Sequence, residues 1–429
     1  MDNNRKTAYR VLLEMEKENS YSNIVLNRIL VFDNPESPAF VREMVYAVIE
    51  NQIFIDYAID RLVNKGIKSV KPQPLCLLRL GICQIEFINS VPDYAAVSET
   101  VKLARRIIPG RDGFVNGVLR NYLKLREDFP YPDRNRDIAG YLSVKYSYAP
   151  WIVDMWLDQY GADKTEQLLE EGNATPPLYI RVNTLKTTPE VLTEELKEEG
   201  FPVWPGENSS RNVSLKVKGS GLLDSALFSD GCFSVQDEAS LMAAELLGPK
   251  PGETVVDVCA APGGKSFAMA EMMENRGVIY AMDIHHHKID LIDKGAQRLG
   301  IDIIKSAVFD SENVREDLRG VADCVLADVP CTGLGVVRRK PEIKLRDVPD
   351  RGKSLAEKQL HILQSASAYV KTGGRLLYST CTLNRCENAD VVGKFLQKNR
   401  DFELVDTKQL LPEKDGPDGF FMALMRKRI

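Results

Sequence analysis

At 429 residues the chain is too long for one ordinary hydrophobic core and calls for two or three domains of roughly 100–200 residues each. Its 44% hydrophobic and 27% charged residues are those of a soluble protein, and no apolar run approaches the ~20 residues that span a bilayer, which argues against a membrane protein. A net charge of −5 leaves no global footprint of nucleic-acid binding, so any RNA site must be locally basic.

The N-terminus runs into an amphipathic helix pattern instead of a signal peptide's apolar stretch and cleavage site, which predicts a cytoplasmic protein. Helix then follows helix for about 130 residues, with apolar side chains three and four apart. Such stripes are Ala8, Val11, Leu12 and Met15; Met44, Val45, Val48 and Ile49; Leu75, Leu78, Ile82 and Ile85; Val97, Val101, Ala104 and Ile108; and Val115, Val118, Leu119 and Tyr122. They predict an all-helical bundle with the stripes as core. Lys102, Arg105, Arg106, Arg111 and Arg120 make it locally basic.

Two prolines in Asp128-Phe129-Pro130-Tyr131-Pro132-Asp133 mark a linker. Helix resumes near Ala149-Pro150-Trp151, Leu178 to Asn183 alternates like a strand, and Thr188-Pro189-Glu190 opens another helix. These make a small α+β module. From about residue 250 the rhythm becomes strand, glycine turn, helix: Thr254 to Val258, Val278 to Asp283, Cys324 to Asp328 and Arg375 to Ser379 are β-rich runs with helical segments between them. That alternation predicts a mostly parallel sheet, Rossmann-like, with ligands beyond the carboxyl ends of its strands. The expected domains are 1–143, 144–232 and 233–429.

In the last domain Asp257-Val258-Cys259-Ala260-Ala261-Pro262-Gly263-Gly264-Lys265-Ser266 closes a strand and opens a helix, with glycines where a backbone must approach a ligand. It is neither the G-x-G-x-x-G of dinucleotide enzymes nor a phosphate loop, whose first glycine would fall at Cys259. Asp283 ends the next strand about twenty residues beyond Gly263, the spacing at which a carboxylate accepts from both ribose hydroxyls. An adenosine-containing cofactor is implied. Asp310 is placed to accept from an adenine amino group, and Asp328 ends a strand near the reacting centre. A lone aspartate at such a place is as often a cap or turn residue, but four at successive strand ends are not.

Asp328-Val329-Pro330-Cys331-Thr332-Gly333 and Tyr378-Ser379-Thr380-Cys381-Thr382 each set a cysteine just past a strand end, so two thiols face one crevice. Cys76, Cys83 and Cys324 read instead as inert small hydrophobes. The eight cysteines form no secreted-type framework and are expected reduced. Cys381 and Cys386 lack a second pair of zinc spacing, and the adjacent His285, His286 and His287 cannot all point at one ion, so no metal is expected.

These motifs, with Ser234-Val235-Gln236-Asp237-Glu238-Ala239-Ser240, Ala327 to Gly335 and Tyr378 to Asn388, resemble the Sun/Fmu family of bacterial 16S ribosomal RNA cytosine-C5 methyltransferases over essentially the whole chain. Leu78-Arg79-Leu80-Gly81-Ile82 and Gly113 to Arg120 resemble the NusB-like helical RNA-binding domain that distinguishes this family. The resemblance implies S-adenosyl-L-methionine as cofactor, bound by Cys259, Ala260, Ala261, Pro262, Gly263, Gly264, Lys265, Asp283, Asp310 and Asp328. It implies that Cys381 attacks cytosine C6 and that Cys331 assists the later elimination, with Asp328 and Lys265 at the active site. The reverse division between the thiols stays open. The chemistry requires such a thiolate, because C5 of cytosine is a poor nucleophile until addition at C6 pushes electron density onto it. Arg338, Arg339 and Lys340 follow the Pro-Cys motif and are expected to neutralise RNA phosphates. The partner implied is 16S ribosomal RNA or an early small-subunit assembly intermediate, and the expected state is a monomer. Two other classes compete: a noncatalytic RNA-binding or antitermination protein, and a methyltransferase of proteins or small molecules. Neither accounts for two thiols at two strand ends, whereas a cytosine-C5 methyltransferase acting on another RNA would.

Overall fold

A computed structural model of the chain describes residues 3–18, 22–346 and 351–429. By contacts the chain divides into Met1–Asn173 with Lys340–Asp347, and Ala174–Arg339 with Val348–Ile429.

The first unit is helical: α1 (Asn3–Glu18), α2 (Ser22–Asp33), α3 (Pro38–Glu50), α4 (Gln52–Leu62), α5 (Pro72–Phe87), α6 (Asp93–Ile107), α7 (Asp112–Leu125), α8 (Ile138–Tyr146) and α9 (Pro150–Glu171). Every residue from Pro74 to Ile85 is buried, so α5 is the central helix, apolar nearly all round. At Gly81 a Cβ would come within 2.7 Å of Leu119 on α7, and glycine is what lets the two helices approach. Arg79 and Gln84 are the polar exceptions in this buried stretch, and Arg79 carries a charge. Its guanidinium is held by Asp56 at 2.7 and 2.8 Å and by Glu16 at 2.6 Å, which compensates the buried charge. The proline-rich linker is packed rather than free, because Phe129 inserts among the rings of Phe54, Tyr57 and Tyr122.

The second unit holds two sheets. Strands β1 (Leu178–Val182), β2 (Val203–Pro205), β3 (Ser214–Val217) and β4 (Phe233–Val235) form an antiparallel sheet in the order β2-β3-β1-β4. Helix α10 (Pro189–Glu198) starts at the anticipated place, with the Thr188 hydroxyl accepting from the Val191 amide. After the short α11 (Ala226–Ser229) and α12 (Glu238–Leu247) comes the large sheet. Its strands are β5 (Thr254–Asp257), β6 (Val278–Asp283), β7 (Ile304–Val308), β8 (Ala322–Asp328), β9 (Val370–Thr380), β10 (Phe402–Leu410) and β11 (Phe420–Lys427). Their order is β10-β11-β9-β8-β5-β6-β7, and the five from β5 to β9 run parallel. The two strands after β9 pair antiparallel and close one edge. Helices α13 (Gly264–Met272), α14 (His286–Leu299), α15 (Arg351–Ser367) and α16 (Ala389–Lys398) connect them. One core covers a face of this sheet together with the small sheet, and a second covers the opposite face. The carboxyl ends of β5, β6, β8 and β9 are left to carry chemistry.

Candidate active site

Strand β5 ends on Asp257, whose side chain is buried. One oxygen accepts from the Ser266 hydroxyl at 2.6 Å, and the other has no hydrogen-bond partner among the described residues. Burial pushes this carboxyl up to about 7. An orphaned acceptor beside a glycine turn fits a site that a polar ligand completes. The turn itself requires glycine: Gly263 has φ +110°, and a Cβ there would lie 2.3 Å from the Phe267 ring. The loop from Cys259 to Gly263 then leads into α13, which carries Lys265 in its first turn. Asp283 ends β6 and accepts from the His285 amide at 3.1 Å, with Lys288 Nζ 3.4 Å from its other oxygen. Asp310 lies two residues beyond β7 and accepts from the Glu312 amide at 3.1 Å. Because β5, β6 and β7 are neighbours, three carboxylates line one sheet edge. This donor set fits an adenosine-type cofactor.

The groups expected to react lie at the ends of the adjoining strands β8 and β9. Asp328 uses both oxygens: one takes Lys265 Nζ at 2.7 Å, the other the Ser379 hydroxyl at 2.8 Å. Lys265 also lies over the Phe420 ring, 5.2 Å from its centre. Burial opposes the lysine's charge, but the Asp328 carboxylate outweighs it, Cys381 adds to the effect, and the ammonium is held above its ordinary value. Past these strand ends Cys331 Sγ lies 3.3 Å from Cys381 Sγ. The neighbouring Cys381 sulfur, and then burial, push the Cys331 thiol well up, so it keeps its proton. One sulfur is therefore a donor to the other beside a carboxylate–ammonium pair, an arrangement suited to nucleophilic attack by Cys381 as thiolate.

Six polar residues that sequence reasoning gave no role complete the site: Ser379, Glu387, Thr332, Gln359, Asn384 and Thr382. Ser379 orients Asp328, as above. Glu387 is buried and accepts from the Thr332 amide at 2.9 Å, the Thr332 hydroxyl at 2.6 Å, Gln359 at 3.0 Å and Asn384 at 2.9 Å. Gln359 also donates to the Pro330 carbonyl at 2.9 Å, and the Thr332 and Thr382 hydroxyls lie 2.7 Å apart. A buried glutamate inside the Tyr378 to Asn388 motif is the one signal that was available.

The basic run after the Pro-Cys motif is not the open phosphate-binding loop that was expected. The Arg338 side chain is 0% exposed and is held by Asp418 at 2.6 Å and by the Glu413 and Gly416 carbonyls. Arg339 pairs with Asp418 and, at 2.8 Å, with Asp237. Charge pairs formed 80 and 102 residues apart turn these cations inward. Lys340 is exposed, while Lys344 in the same run is buried.

Comparison with known proteins agrees with this arrangement. The family model described as 16S rRNA methyltransferase RsmB/F matches residues 244–426, a NusB family model matches 2–124, and a ferredoxin-like domain model of RsmF/B-like methyltransferases matches 148–220. The probable ribosomal RNA small subunit methyltransferase B of Bacillus subtilis is 37% identical over 99% of this chain and 98% of its own. The corresponding Synechocystis protein is 31% identical over 99% of both. A solved methyltransferase homolog from Pyrococcus horikoshii is 27% identical with a TM-score of 0.60, covering 67% of this chain and 97% of its own.

Proposed function

The chain belongs to the RsmB/F family of 16S rRNA methyltransferases, and from that premise we propose that it methylates C5 of one cytosine in small-subunit ribosomal RNA through a covalent adduct to Cys381. The observation that carries this reading is the pair of sulfurs 3.3 Å apart beside the Asp328–Lys265 pair. Methylation at a nitrogen or a ribose oxygen would need no such pair.

The cofactor would be S-adenosylmethionine, and the backbone from Cys259 to Gly264 would hold it, with Asp283 for the ribose hydroxyls and Asp310 for the adenine amino group. Its sulfonium supplies an electrophilic methyl group. An unperturbed thiol is only about 3% thiolate at pH 7. The ammonium of Lys265, which interacts electrostatically with Cys381, favours an anion on that sulfur. Asp328 is placed to accept a hydrogen bond from the cytosine amino group or from protonated N3, which makes C6 more electrophilic. Cys381 then adds at C6, and the electron pair of the C5–C6 double bond moves to C5, which would take the methyl group as its bond to the sulfonium breaks and leaves a neutral thioether. Elimination follows: the C5 proton passes to water, the double bond re-forms, and the C6–S bond breaks with its pair on Cys381. The Cys331 S–H receives that departing thiolate. We assign 233–429 to this chemistry and 1–143 and 144–232 to holding RNA, with Lys340 as a phosphate contact and a monomer as the working state.

The reading is tested by incubating the protein with 16S ribosomal RNA and labelled S-adenosylmethionine, then digesting the RNA and identifying the labelled nucleoside by mass spectrometry. 5-Methylcytidine at one position is expected. Label in another nucleoside or in protein, or none at all, would overturn it.

A further inference from the structure

We infer that Glu387 is a positioning residue for product release: its carboxylate holds the Cys331 segment against the Cys381 segment, so that the Cys331 S–H meets the Cys381 sulfur when the adduct breaks. This deepens the proposed cytosine chemistry and rests on it.

The two thiols are carried differently. Cys381 directly follows β9, an eleven-residue strand paired on both sides, by β8 and by β11. Thr380 before it is fixed by Asn388 at 2.6 Å, and its own carbonyl accepts from the Gly335 amide at 2.9 Å. Cys331 lies in a segment that is neither helix nor strand, between the end of β8 and residue 335. Backbone bonds hold its two ends, from the Val329 amide to the Ser379 carbonyl at 3.1 Å and from the Gly335 amide to the Cys381 carbonyl at 2.9 Å, and between them two side chains fix it from either side. The Pro330 carbonyl is taken by Gln359, and both polar groups of Thr332 are taken by Glu387. Gln359 donates to Glu387 as well, so the two clamps are one unit.

Glu387 receives four hydrogen bonds and, among the described residues, forms no ion pair. A buried carboxylate without a counter-cation is costly to keep, and a neutral side chain would stabilise the fold better if holding the chain were the whole task. Its charge has a second consequence. Together with the Cys381 sulfur and burial, the negative charge of Glu387 raises the Cys331 thiol, which keeps the proton on the sulfur that must donate it. Loss of Glu387 therefore loosens the middle of the Cys331 segment and removes part of the field on its thiol, while Cys381 stays next to its strand. Attack and methyl transfer are retained and elimination slows.

The experiment compares Glu387→Gln with wild type and Cys331→Ala, using 16S ribosomal RNA and S-adenosylmethionine. It measures the first-turnover burst of methyl transfer, the steady-state rate, and the protein–RNA adduct that survives denaturation. Glu387→Gln is expected to keep the burst within about twofold, to lower the steady-state rate about tenfold or more, and to accumulate adduct as Cys331→Ala does. Thr332→Val, which removes one of the four donors and keeps the carboxylate, should move the same way by less, and Thr332→Ser should restore wild-type turnover. Burst and steady state falling together in Glu387→Gln and in Thr332→Val would overturn the inference, since the glutamate would then only support the fold. So would unchanged turnover in both. If Cys331→Ala itself forms no adduct while methylating normally, it is the underlying covalent reading that fails.

Discussion

The helical unit and the catalytic unit both bury charge, but they dispose of it differently. In the helical unit Arg79 is enclosed by Asp56 and Glu16, and every polar partner it needs comes from its own bundle. In the catalytic unit Arg338 is likewise matched by Asp418, but two carboxyl groups near the strand ends are left partly uncompensated: among the described residues one Asp257 oxygen has no hydrogen-bond partner, and Glu387 has neutral donors alone. A fold that needed only stability would not keep such groups. Incompletely paired carboxyl groups at strand ends, rather than buried charge as such, mark the residues of the proposed site.

Substitutions on the two sides sharpen that contrast. The largest effect is expected from Asp328→Asn, which removes the partner of Lys265 and weakens the acceptor set for the base. Methyl transfer should fall by about 10²- to 10⁴-fold, measured by single-turnover assay, with the circular dichroism spectrum of the folded protein retained. Leu78→Ala, in the fully buried stretch of α5, acts on the other side. It should cost about 2–5 kcal/mol of stability, measured by denaturant unfolding, and leave single-turnover methyl transfer at saturating RNA within about twofold. A Leu78→Ala enzyme as slow as Asp328→Asn would break the division between the units.

Much of this arrangement was legible in the sequence because it depends on local order. Asp257, Asp283, Asp328, Cys331 and Cys381 each follow a short β-rich run, and strand ends in an alternating β/α chain share one edge. The α10 start was legible from Thr188-Pro189 for the same local reason. What was missed depends on partners distant in sequence. Nothing near Glu387 says that it will meet Thr332, 55 residues away, and nothing near Arg338 says that Asp418, 80 residues on, will turn it inward. The basic run was therefore read as a solvated phosphate contact. The last strand pair was also hidden, because Phe420 to Met425 is a continuous apolar run whose periodicity does not distinguish strand from helix.

The central claim is the division of labour between the two sulfurs, and a denaturing gel tests it most directly. Wild type, Cys331→Ala and Cys381→Ala would each be incubated with S-adenosylmethionine and 16S ribosomal RNA, then denatured and resolved. The account predicts a stable protein–RNA band in Cys331→Ala, little in wild type, and none in Cys381→Ala, which should also lose methylation. A band in Cys381→Ala but not in Cys331→Ala would hand the nucleophile's role to Cys331, and methylation surviving both substitutions would contradict covalent catalysis altogether.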